Sequence, residues 1–148
     1  MKKLVLVLGL LAATGSARAE SIGLGAFLGQ PTGLDIKIGL QGRSALDIVI
    51  GVNQFNDPHL SYGHIQYLAL LGVARGRTVN VPFRLGVGGA VIGVTDDNTV
   101  FAARVPFQLG LRFRRSPVEI YGEVAFVLVF NDDTDTDVDG GLGLRIYF

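Results

Sequence analysis

Residues 138–148 alternate in polarity with a period of two. Leu142, Leu144, Ile146 and Phe148 share one parity; Gly141, Gly143, Arg145 and Tyr147 share the other. Successive side chains of a strand point to opposite faces, so this pattern marks a strand held between two different environments. Any architecture for the chain has to supply one apolar and one polar surrounding along the same strand.

The dyad recurs upstream. Alternating runs are read at 21–29, 34–41, 45–54, 61–73, 81–94, 100–113, 118–130 and 138–148. Leu34, Ile36, Ile38 and Leu40 oppose Asp35, Lys37 and Gly39, and Leu46, Ile48, Ile50 and Val52 oppose Asp47, Gly51 and Asn53. Phe83, Leu85, Val87 and Val91 oppose Arg84, Gly86 and Gly88. Phe101, Val105, Phe107, Leu109, Leu111 and Phe113 oppose Arg104, Gln108 and Arg112. Val118, Ile120, Val124, Phe126, Leu128 and Phe130 oppose Glu119, Tyr121 and Glu123. The fourth run is mixed: His64 and Gln66 are polar, and Leu68 and Leu70 follow on the same face. The 21 glycines disfavour long helices. Connectors 41–44, 74–80 and 114–117 are basic, 55–60, 95–99 and 131–137 are acidic, and 30–33 reads as a tight Pro-Thr-Gly turn. Short strands at this spacing predict an all-β sandwich or barrel.

The front of the chain reads differently. Met1-Lys2-Lys3 precedes an apolar stretch at 4–11, and Ser16-Ala17-Arg18-Ala19 offers a small-residue cleavage site. This predicts a signal peptide over 1–19, removed on export, and one domain over 20–148. The apolar stretch is too short to span a bilayer comfortably. Without cysteine, a lipoprotein anchor, disulfides and thiolate metal sites are excluded. The 13 basic and 13 acidic residues balance, but Lys2, Lys3 and Arg18 fall in the leader. The remainder is mildly acidic, which argues against nucleic acid as a partner. No other apolar run suits a transmembrane helix. A chain that is 49% hydrophobic must therefore cover its apolar surface by another route.

Three arguments orient the faces. The polar face carries charges of both signs and many glycines, whereas a soluble lipid-binding barrel would be apolar inside. The apolar face holds most aromatics, and Phe83, Phe101, Phe113, Phe130 and Phe148 are read near strand ends, as in an interfacial girdle. The strands are long enough to cross a bilayer when tilted. The apolar face should then meet lipid and the polar face should line the interior. In hydrocarbon an unpaired backbone group costs several kcal/mol, so the sheet must close. An even strand number returns both termini to one side, where the basic connectors also lie.

These features resemble bacterial outer-membrane β-barrels, in which the closing strand and its terminal aromatic are read by the barrel-assembly machinery. Leu144, Ile146, Tyr147 and Phe148 match that signal. The 20–148 segment as a whole resembles small eight-stranded transmembrane barrels of the OmpA/OmpX type. It is also similar to small outer-membrane barrel families without an assigned role that carry Gly-x-Pro-Thr-Gly near the first hairpin, here Gly29-Gln30-Pro31-Thr32-Gly33. The resemblance implies an eight-stranded antiparallel up-and-down transmembrane barrel in a Gram-negative outer membrane. It implies export through the Sec pathway and a monomer surrounded by lipid and lipopolysaccharide. It implies no cofactor, no enzymatic activity, and a role in envelope integrity or surface interaction.

The inferred interior gathers Asp35, Lys37, Asp47, Arg84, Arg104, Arg112, Glu119, Glu123 and Arg145, with His64, Gln66, Gln108, Tyr121 and Tyr147. Eight strands enclose a space that side chains can fill. Opposed charges there must pair, because a stranded one is costly. The leading expectation is a packed ion-pair network that plugs the barrel and sets its register. The alternative is a narrow small-solute channel with Arg84, Arg104 and Arg112 as a charge filter. Glu119 and Glu123 lie four residues apart on a strand, about 13 Å, too far for the usual acid–base geometries. A second alternative is a lipid A-modifying barrel. Such barrels carry a His-x-Ser, here His59-Leu60-Ser61, but the acids at hand to orient the histidine are the loop residues Asp57 and Asp97. Asp132, Asp133, Asp135 and Asp137, with Asp96 and Asp97, are read as exposed loop carboxylates able to bridge divalent ions to lipopolysaccharide. Ile92, Val127 and Val129 make the inner face more apolar toward the outer mouth.

Overall fold

A computed structural model describes residues 22–40, 43–52, 61–93 and 99–148. The expected signal peptide, His59, Asp57, Asp96 and Asp97 lie outside the described residues. The chain forms eight strands: β1 (Ile22–Gly29), β2 (Thr32–Gly39), β3 (Ser44–Val52), β4 (Ser61–Arg75), β5 (Val79–Ile92), β6 (Val100–Phe113), β7 (Val118–Phe130) and β8 (Asp135–Tyr147). Each pairs with its sequence neighbours, and β1 pairs with β8, so the antiparallel up-and-down sheet closes into a barrel. The closing seam runs from Gly23↔Tyr147 to Gly29↔Gly141. The all-β class, the strand number and the closure agree with the sequence reading.

Several boundaries differ from that reading. Thr32 and Gly33 already belong to β2, where they pair with Val52 and Gly51. The first turn is therefore Gln30 and Pro31, held by a reciprocal pair of hydrogen bonds between Thr32 and Gly29 of 3.0 and 3.1 Å. The β4–β5 pair extends to Arg75↔Asn80, which shortens that basic connector to 76–78 and places Phe83 within β5, not at its end. A register shift between Leu70 and Gly72 interrupts the dyad in β4. Leu68, ahead of the shift, keeps the inward parity of His64 and Gln66 and is buried, whereas Leu70, at the shift, is only half-buried. At the other end of the barrel, Asp135 and Asp137 are strand residues, paired opposite Val129 and Val127. The acidic connector is thus a short turn followed by an extended hairpin arm.

The dyad sorts side chains radially. Leu28, Leu34, Ile50, Ile65, Val87, Phe107, Phe126 and Leu142, drawn from all eight strands, point outward and are exposed. Phe126 keeps 65% of its surface accessible, whereas Arg145 and Asp35 keep none. Inside and outside are thus inverted relative to a water-soluble domain, where charge belongs outside and contiguous apolar patches exceed a few hundred Å² only rarely.

Candidate functional site in the barrel interior

The inward positions are where chemistry can reside. Four cations (Lys37, Arg84, Arg104 and Arg145) and five carboxylates (Asp35, Asp47, Glu119, Glu123 and Asp139) are buried among the described residues. They form a continuous network centred on Arg145 of β8. Its Nε donates to Asp35 Oδ2 at 2.6 Å and its Nη2 to Asp47 Oδ1 at 2.6 Å. Its Nη1 lies 3.4 Å from Glu119 Oε1. The guanidinium also sits over the Tyr121 ring, 3.8 Å from its centroid. A planar fork with five donors suits a site where several acceptors converge, which a lysine could not serve equally.

Two branches leave this hub. Toward the chain termini, Arg84 grips Glu119 through two bonds of 2.7 and 3.0 Å. Lys37 Nζ donates to the Tyr147 hydroxyl at 2.9 Å, which donates onward to Glu119 Oε1 at 3.2 Å. Arg112 occupies the last inward position of β6 and caps the mouth, 4.0 Å from the Tyr147 centroid. It is only half-buried, because the strand ends one residue later. In the other direction, the amides of Gln66 and Gln108 each bridge Asp47 Oδ2 and Glu123 Oε2, at 2.6 to 3.0 Å. Arg104 then takes Glu123 Oε1 at 2.6 Å and His64 Nδ1 at 2.7 Å. An arginine only donates, so Nδ1 is the acceptor and the neutral ring carries its proton on Nε2. Tyr62 donates to Asp139, whose carboxylate lies 3.7 Å from Arg104.

Above this network the interior changes character. Tyr62, Ala90, Ala102, Ala125 and Val127 form a buried apolar cluster, with Ile92 and Val129 packed against it. Phe27, Val49 and Tyr121 form a second cluster beside the charges, with Phe27 stacked on Tyr121 at 5.9 Å between centroids. Glycines make the room. A Cβ on Gly141 would lie 2.7 Å from Phe27 Cζ, and one on Gly143 would strike the ring of Tyr121.

The structure therefore brings together eight of the nine predicted charged residues and leaves Arg112 at the rim of the same assembly. The sequence reading missed Asp139, Tyr62 and Phe27. Asp139 shares parity with Gly141, Gly143 and Arg145, and Tyr62 shares parity with His64 and Gln66, so the dyad carried that signal. Glu119 and Glu123 serve different partners, Arg84 and Arg145 for one and Arg104 with the two amides for the other. Their arrangement neutralises and locks charge. Leu144, Ile146 and Phe148 lie exposed on the outer face, while Tyr147 is turned inward.

No family model, curated protein or solved structure matches the chain.

Proposed function

We propose that this protein is a non-enzymatic integral barrel of a bacterial outer membrane, inserted as a monomer and serving envelope integrity or surface interaction. One observation carries the reading: apolar side chains are exposed on every strand of a closed sheet while the charges are paired inside it. Closure satisfies the backbone internally, which hydrocarbon demands, and the outward face is the one lipid would contact. On this reading the periplasmic end carries the termini and basic turns, and the acidic turns face lipopolysaccharide. Leu144, Ile146, Tyr147 and Phe148 act as the signal for the assembly machinery.

The test is electrophoretic mobility of the detergent-extracted outer-membrane fraction, boiled and unboiled. A faster unboiled band is expected. Recovery from the soluble periplasm with no heat-dependent shift would refute the proposal. The crossing of the lumen by Arg104, Arg145, Gln66 and Gln108, all at most 1% exposed, supports a plug over a conducting pore. Planar bilayers should accordingly show no unitary conductance, and steps that lose selectivity in Arg104→Ala would favour the channel alternative.

A further inference from the structure

At the end of the barrel where β1 begins and β8 ends, the exposed charged side chains among the described residues are all basic. Its turns contribute Arg43, Arg77, Arg114 and Arg115, and the adjoining end of β4 contributes Arg75; all five are exposed. Residues 70–82 and 108–118 contain no carboxylate. The nearest one in sequence, Glu119, is fully buried and held by Arg84. Among the described side chains of this rim, no carboxylate is exposed.

The arginines are organised. Arg114 Nη1 donates to the Gly76 carbonyl at 3.1 Å, and its backbone N–H donates to Thr78 O at 3.0 Å. The β4–β5 and β6–β7 turns are thereby clamped side by side. Beside that clamp lies a pocket of about 410 Å³, lined by Asn80, Arg112, Phe113, Arg114, Arg115, Ser116 and Pro117. Asn80 brings a buried Oδ1 without a hydrogen-bond partner. Immediately beyond Phe113 the outer wall becomes the apolar band, through Leu111 and Ile120.

We propose that this pocket binds the headgroup of an anionic glycerophospholipid of the phosphatidylglycerol type, in the leaflet at the terminal end of the barrel. The chemistry fits part by part. Guanidinium groups bind phosphate oxygens through paired charge-assisted hydrogen bonds. The orphan Asn80 Oδ1 accepts from a headgroup hydroxyl, which a choline headgroup lacks. The acyl chains continue onto Phe113, Leu111 and Ile120. A basic pocket bordering an apolar wall places phosphate and hydrocarbon where one lipid presents both. The site rests on the membrane reading above.

The test uses the full barrel refolded into phosphatidylcholine bilayers, extracted with an equimolar mixture of phosphatidylglycerol and phosphatidylethanolamine, and weighed by native mass spectrometry. Phosphatidylglycerol should be retained selectively. Arg114→Gln with Arg115→Gln should reduce that preference roughly fivefold for each arginine removed. Arg43→Gln, on the β2–β3 turn, should leave it unchanged. Equal retention of both lipids overturns the site. So does a preference that survives the double substitution, or release of the lipid by inorganic phosphate alone, which would make the pocket a free-phosphate site. A chain with no heat-dependent mobility shift in phosphatidylcholine overturns the membrane reading and this site with it. A chain that folds there without selecting phosphatidylglycerol overturns the site alone.

Discussion

The interior of this barrel is filled in two ways. Around Arg145 the filling is charged: one guanidinium answers to Asp35, Asp47 and Glu119, and each of its three nitrogens has a partner. Around Ala125 the filling is small and apolar, with alanines on three neighbouring strands closing the gap between Val127 and Tyr62. Both halves exclude solvent, by different physics. In the charged half, attraction repays desolvation only while every partner is present, so the half acts as a unit. In the apolar half each contact contributes by area and can be lost piecemeal. The charged half therefore specifies register, and the apolar half tolerates change.

This contrast is breakable by substitution, read as urea unfolding of the refolded protein. Arg145→Ala should be the most damaging, about 3–5 kcal/mol, because it leaves Asp35 and Asp47 buried without their ion-pair partner and takes one of two from Glu119. A cost near that of a surface change would mean that water reaches the network. Arg104→Met combined with Glu123→Met should cost less than the sum of the single changes, with a coupling of roughly 0.5–3 kcal/mol; strict additivity would show that the pair is not a unit. Gly143→Ala should lose about 1–3 kcal/mol. Its new methyl meets the Tyr121 ring, which Phe27 and Arg145 hold in place. In the apolar half, Val127→Ala should lose only about 2 kcal/mol, the worth of two buried methyl-sized groups. Arg77→Gln, exposed at the rim, should fall within about 0.5 kcal/mol of the parent.

Parity was legible in the sequence because a strand in two environments writes it residue by residue. That sufficed to name Asp35, Lys37, Asp47, Arg84, Arg104, Glu119, Glu123 and Arg145 as one interior set. Partnership was not legible. Lys37 and Asp47 are neighbours in register, yet Asp47 takes Arg145 at 2.6 Å from across the lumen and Lys37 takes Tyr147. Which residues meet across the axis depends on barrel stagger and side-chain length, neither of which periodicity encodes. Asp139 fell inside the strand read at 138–148 but was not set apart from the exposed aspartates of 131–137 beside it, although β8 begins at Asp135. Asp135, Asp137 and Asp139 share one parity of β8, but the first two are exposed on the hairpin arm and only Asp139 is buried.

The β1–β8 seam joins residues from opposite ends of the chain, and Arg145 is brought to Asp35 across 110 positions. Long-range pairing of this kind is slow, since the loop must close before the contact rewards it. Until the last strand arrives, Asp35, Asp47 and Glu119 face inward without the cation that holds all three. A barrel stalled before its final hairpin is thus electrically frustrated as well as open. The arrival of Arg145 pairs these carboxylates in the same event that seals the wall, which makes completion cooperative and gives partly assembled barrels little to stabilise them.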